Sequence, residues 1–81
     1  MRLVKEIAHP DCKITIFSWN NRYLVKLEQG ALEQTFKVPE TDLTGDDDLL
    51  TILDAEFLQQ AVRRFQDMGQ SLYEARGRSG L

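Results

Sequence analysis

His9-Pro10-Asp11-Cys12 sets an imidazole, a carboxylate and a thiol in one short stretch. An imidazole that touches a thiol can take its proton and leave a thiolate nucleophile. A thiol-dependent enzyme is therefore one function class to weigh. Catalytic pairs are brought together by the fold and not by adjacency in the chain, so a plain reading is preferred: a tight turn with an exposed His9 and a half-buried Cys12. These are the chain's only histidine and only cysteine. An internal disulfide is excluded, and so is a zinc site of the finger type, which needs further thiolate and imidazole ligands. Asp42, Asp46, Asp47 and Asp48 raise the question of calcium. An EF-hand loop beginning at Asp42 needs Gly at its sixth position and Glu at its twelfth. Those positions hold Asp47 and Leu53, so the motif fails, and the acids read as helix-start residues. There is no glycine-rich phosphate loop, no Ser/His/Asp set and no carboxylate pair in an apolar setting. The expectation is a non-enzymatic protein with no cofactor and no metal.

The remaining chemistry is that of a surface. Phe17, Trp19, Arg22, Leu24 and Lys26 combine aromatic, aliphatic and cationic side chains within ten residues of chain. Such mixtures are characteristic of binding surfaces. Whether they form one depends on the elements that carry them.

Lys13–Trp19 and Arg22–Glu28 alternate with a strand period, and the first is rich in β-branched and aromatic residues. Asn20-Asn21 between them tolerates the positive φ that a tight hairpin requires. That turn sets the pairs Trp19/Arg22, Ser18/Tyr23, Phe17/Leu24, Ile16/Val25, Thr15/Lys26, Ile14/Leu27 and Lys13/Glu28. One face then carries Ile14, Ile16, Tyr23, Val25 and Leu27. The other carries Phe17, Trp19, Arg22, Leu24 and Lys26. A turn at Gln29-Gly30 leads to a further strand, Ala31–Val38, pairing Leu27 with Leu32, Lys26 with Glu33 and Tyr23 with Phe36. Gln34 falls on the aliphatic face, which suggests a bulge or a longer loop near Gly30. Pro39 ends the strand because it lacks an N–H. A first strand from about Leu3 to Ala8 precedes a Pro10-Asp11 turn. It puts Ile7 beside Ile14, brings Lys5 to the buried face, and lets Val4 join the aromatic face.

Residues 40–54 hold six acids and no base. Past this loop the period becomes helical: Leu50, Leu53, Phe57, Leu58, Ala61, Val62, Phe65, Met68, Leu72 and Ala75 fall on one side of a wheel. Asp48 and Asp54 are the candidate N-caps, with a short helical turn at 49–53 and a main helix from about 55 to 75. Arg76 and Gly77 give a stop signal. The chain is thus expected to be one domain over 1–76 with a flexible tail at 77–81. Its fold class is α+β, a four-stranded antiparallel meander with one long C-terminal amphipathic helix packed on one face as a two-layer sandwich.

Four strands followed by one helix resembles, in topology over residues 3–75, the transcriptional positive-cofactor family that binds single-stranded DNA. The resemblance implies an open sheet face able to stack bases and neutralise phosphates. The net charge of −3 weighs against nucleic acid.

One helix covers only one face of a sheet. The Phe17, Trp19, Arg22, Leu24 and Lys26 face is therefore left either to residues 40–54, through Leu43, Leu49 and Ile52, or to another molecule. The expectation is a small interaction module that binds a protein partner, itself or another chain, most simply as a homodimer. Single-stranded nucleic acid is the alternative partner. No apolar run approaches membrane-spanning length and the first residues are no signal peptide, so a cytoplasmic location without membrane attachment is expected.

Overall fold

A computed structural model describes all residues from Met1 to Leu81. The chain runs β1 (Arg2–His9), β2 (Cys12–Trp19), β3 (Arg22–Gln29), β4 (Leu32–Pro39), a 3-10 turn over Glu40–Asp42, α1 (Asp46–Ile52) and α2 (Ala55–Ser79). The strands form one antiparallel sheet in the order β1-β2-β3-β4, and α2 packs against it. This is the expected α+β sandwich.

The hairpin turns account for the registers. Asn20 and Asn21 have φ of 53° and 62°, the paired left-handed geometry of a type I′ turn, and every β2–β3 pair is the expected one. The next turn differs. Its central residues are Gly30 and Ala31, with Gly30 at φ 59°. The ladder pairs Gln29 with Leu32, Leu27 with Gln34, Val25 with Phe36 and Tyr23 with Val38. The Gln29-Gly30 turn placed this ladder two residues out, and Ala31 belongs to the turn. A turn with positive φ only at its first central residue wants glycine there, which puts Gly30 in that position. A two-residue shift keeps side-chain parity, so the faces survive. No bulge interrupts β4.

The bulge lies instead in β1. Leu3 pairs with Phe17 but Lys5 pairs with Ile16, so Val4 is the extra residue. Val4 consequently packs against the core and does not join the aromatic face, while Leu3 takes that place. Lys5 stays exposed although it opposes a buried isoleucine.

The core is Ile14, Ile16, Val25 and Leu27 of the sheet against Leu49, Ala61 and Phe65 of the helices. Each of these side chains is at most 1% exposed. Gln34, polar on this face, is accommodated by bonding. Its Nε2 donates to the Ala61 carbonyl at 2.8 Å and its Oε1 accepts from Arg64 Nε at 3.0 Å.

The 25 residues of α2 give a rod of about 37 Å, against about 26 Å for an eight-residue strand. Its last fully buried residue is Phe65, and Gly69 is the last helical glycine against the sheet, facing Leu32. The helix overruns the sheet from there, leaving Leu72 and Tyr73 exposed. It also runs past the expected stop at Gly77. Gly80, left-handed at φ 74°, is the residue that ends it.

Candidate functional site: the uncovered sheet face

Side-chain parity sorts the second face into rows across the sheet. One row is Leu3, Phe17, Leu24 and Lys37; beside it lies Trp19, Arg22 and Pro39. Further along come Glu6, Thr15, Lys26 and Thr35, then Ala8, Lys13, Glu28 and Glu33. The apolar side chains therefore gather at the end of the sheet bearing the Asn20-Asn21 turn, and the charged ones fill the other end. Trp19 and Leu3 are each 52% exposed; Phe17 and Leu24 are half-buried between their neighbours. All five expected residues, Phe17, Trp19, Arg22, Leu24 and Lys26, are brought onto one face. Sequence reasoning missed Leu3, because only the β1 bulge re-aims it there.

Residues 40–54 do not cover this face. Ser18 Oγ donates to Glu40 Oε1 at 2.7 Å, Glu40 N–H donates to the Asn21 carbonyl at 3.0 Å, and the Tyr23 hydroxyl donates to Asp46 Oδ1. Ser18 and Tyr23 both lie on the aliphatic face, so the chain leaving Pro39 is turned that way. Leu49 is then sealed in the core at 1% exposure, Leu43 packs against it, and Ile52 points to solvent. The covering reading is thereby overturned.

The cationic side chains on the face are Lys13, Arg22, Lys26 and Lys37; the anionic ones are Glu6, Glu28 and Glu33. Lys26 and Glu33 form the only ion pair, at 3.5 Å. A half-exposed pair of this kind contributes little to folding. The remaining charges are free to meet a partner.

The other candidate groups lie elsewhere. His9 Nδ1 accepts the Asp11 N–H at 3.1 Å and stands 3.9 Å from Cys12 Sγ. Cys12 is 9% exposed, and burial, then the nearby Asp11 charge, pushes its thiol up from the ordinary value. That is the opposite of the depression that makes a thiolate nucleophile. Beyond this turn an open cleft runs against α2, lined by His9, Asp11, Leu58, Gln59, Val62 and Arg63. No buried side-chain polar atom anywhere lacks a partner, so none there awaits a ligand. In the acidic segment, Asp48 sits in the first turn of α1, where the N-cap position belongs to Gly45. Its Oδ2 accepts both the Thr44 N–H at 2.8 Å and the Thr44 hydroxyl at 2.7 Å, and these bonds hold the carboxyl below the usual range. Asp54, by contrast, caps α2 as expected, accepting the Phe57 N–H at 2.8 Å. No three His, Cys, Asp or Glu side chains converge as a metal-ligand set, and no helix is long and apolar enough to cross a membrane.

No protein-family profile, curated protein or solved structure matches this chain. The likeness to the positive-cofactor family accordingly stands on strand order alone, and the face has to be read from its own residues.

Proposed function

We propose that this chain is a non-enzymatic interaction module. It binds a protein partner, in the simplest case a second copy of itself, through the uncovered sheet face. Leu3, Phe17, Trp19 and Leu24 form the apolar centre, with Arg22 and Lys26 at the rim. The observation that carries this reading is the exposed aromatic–aliphatic cluster on rigid paired strands, opposite the face that α1 and α2 occupy. Contiguous exposed apolar clusters of this kind mark interaction sites, and Trp and Arg are the residue types that dominate such sites energetically.

Trp19 is the only tryptophan, so its emission reports directly on this face. Raising the concentration should shift the emission to the blue as Trp19 is covered. Trp19→Ala should weaken association about 30-fold or more, the effect of losing one central anchor, while changing folding stability by about 1 kcal/mol or less at so exposed a position. An emission that stays that of a solvated indole up to millimolar concentration rules out self-association through the face.

A second reading has its own support: four basic side chains share this face with an exposed Trp19 and a half-buried Phe17, the composition of a single-stranded nucleic-acid platform. Titration with a single-stranded oligonucleotide at low salt tests it. Binding must fall steeply as salt rises, and no binding at low salt dismisses it.

A further inference from the structure

The two edges of the sheet are built differently. β1 carries the Val4 bulge and an exposed Lys5 that opposes the core face, both recognised devices for blocking edge-to-edge pairing. β4 has no bulge over its eight residues. Its ladder pattern shows which backbone groups are free. The Glu40 N–H to Asn21 carbonyl bond marks that pair as hydrogen-bonded. Hydrogen-bonded pairs alternate along an antiparallel ladder, so Val38, Phe36, Gln34 and Leu32 direct their N–H and C=O groups to β3. Lys37, Thr35 and Glu33 direct theirs outward. No turn, loop, cap or side-chain bond in the chain engages these outward groups. Pro39, which has no N–H, falls in the outward set, the position where its missing donor is least costly.

We infer that β4 pairs antiparallel with β4 of a second copy, about a two-fold axis through Thr35. In this register Thr35 meets the partner copy's Thr35, and Glu33 meets the partner copy's Lys37. It is the only symmetric register that sets Glu33 across from Lys37. It also aligns Glu33, Thr35 and Lys37, whose backbone groups point outward, as hydrogen-bonded pairs. Thr–Thr and opposite-charge pairs are favourable cross-strand neighbours. Glu33 already draws Lys26 to 3.5 Å and accepts the Thr35 hydroxyl at 3.2 Å, so the partner's lysine completes a small charged cluster. The strand is self-complementary, and that argues for a second copy over an unrelated strand. Antiparallel pairing of this kind keeps paired side chains on one side of the sheet. The two Phe17/Trp19/Leu24 faces then lie side by side on one continuous surface, with both α2 helices on the other. The pairing does not use Trp19 and stands independently of the function proposed above.

Cross-linking tests it on the full chain. Hydrogen-bonded antiparallel partners have Cα atoms about 5.5 Å apart, within the range of roughly 4.4–6.8 Å that a disulfide spans. Thr35→Cys should oxidise to a covalent dimer under mild oxidant. Glu33→Cys, also at an exposed position but far from its own symmetry mate, should not. Equal cross-linking of the two, or none in either, overturns the proposal. The Thr35→Cys cross-link should persist when Trp19→Ala is added; its loss there would assign the contact to the open face and overturn the edge pairing. In a charge test read by sedimentation, Glu33→Lys should weaken association about 5–30-fold through its two symmetric Lys–Lys contacts, and adding Lys37→Glu should restore it. A double variant as weak as the single one overturns the register. Exchange of the Glu33, Thr35 and Lys37 amides should slow with concentration in the unmodified chain. Amides that stay fast when the chain is associated also overturn it.

Discussion

Two glycines at the end of α2 give a test whose sign depends on where the helix stops. Gly77 is inside the helix, its φ is ordinary, and a Cβ there meets nothing within 4 Å. Gly80 is left-handed at φ 74°, and around it Leu81 N–H donates to the Arg76 carbonyl at 3.1 Å. Gly77→Ala should therefore stabilise the helix by about 0.5–1 kcal/mol, the helix penalty of glycine. Gly80→Ala should destabilise the terminus by about 1–2 kcal/mol, the cost of a left-handed conformation with a Cβ. Beyond Gly69 the helix no longer rests on the sheet, so the effects are local and belong in the exchange rates of amides 74–81 rather than in global unfolding. Those energies translate to about 2–5-fold slower exchange for Gly77→Ala and about 5–30-fold faster exchange for Gly80→Ala, with ellipticity at 222 nm moving the same way. If the helix ended at a left-handed Gly77, the first sign would reverse. Faster exchange in Gly77→Ala, or no change in Gly80→Ala, refutes the assignment.

Two further perturbations probe the ties that hold the helices to the sheet. Gln34→Ala removes the bonds to the Ala61 carbonyl and to Arg64. It should lower stability by about 1–2 kcal/mol, seen as a lower urea midpoint at an unchanged slope; a higher midpoint would show Gln34 to be a packing defect after all. The Tyr23 phenol is pushed above its ordinary value, first by its bond to Asp46 and then by burial. A raised pKa means that this stabilisation is complete below the ordinary phenol range, near pH 10, and is lost as pH climbs through the folded value. The stability difference between the unmodified chain and Tyr23→Phe should be constant at neutral pH and shrink in alkali; a difference that does not change with pH contradicts the bond.

Local chemistry made much of this molecule legible in its sequence. Asn20-Asn21 favours a left-handed turn, and the turn alone sets the β2–β3 ladder and thereby the two faces. Phe17, Trp19, Arg22, Leu24 and Lys26 could be placed together on that basis. Asp54 was likewise legible as the α2 cap, because its bond to the Phe57 N–H spans only three residues. Long-range contacts decided the rest. The Val4 bulge arises where β1 must bring Val4 to the core while still pairing Leu3 with Phe17, and no turn residue announces it. Gln34 on the aliphatic face suggests a bulge in the sequence, whereas in the fold α2 supplies Ala61 and Arg64 as its partners. The side of the sheet taken by the acidic segment follows from the Ser18–Glu40 and Tyr23–Asp46 bonds, which join residues far apart in the chain. Sequence by itself determined that the sheet has an aliphatic and an aromatic–basic face, since alternation is a property of the strand. Only the tertiary structure decided that the second face is bare, since covering it was open to any segment with apolar side chains, and the one available segment is anchored to the other side.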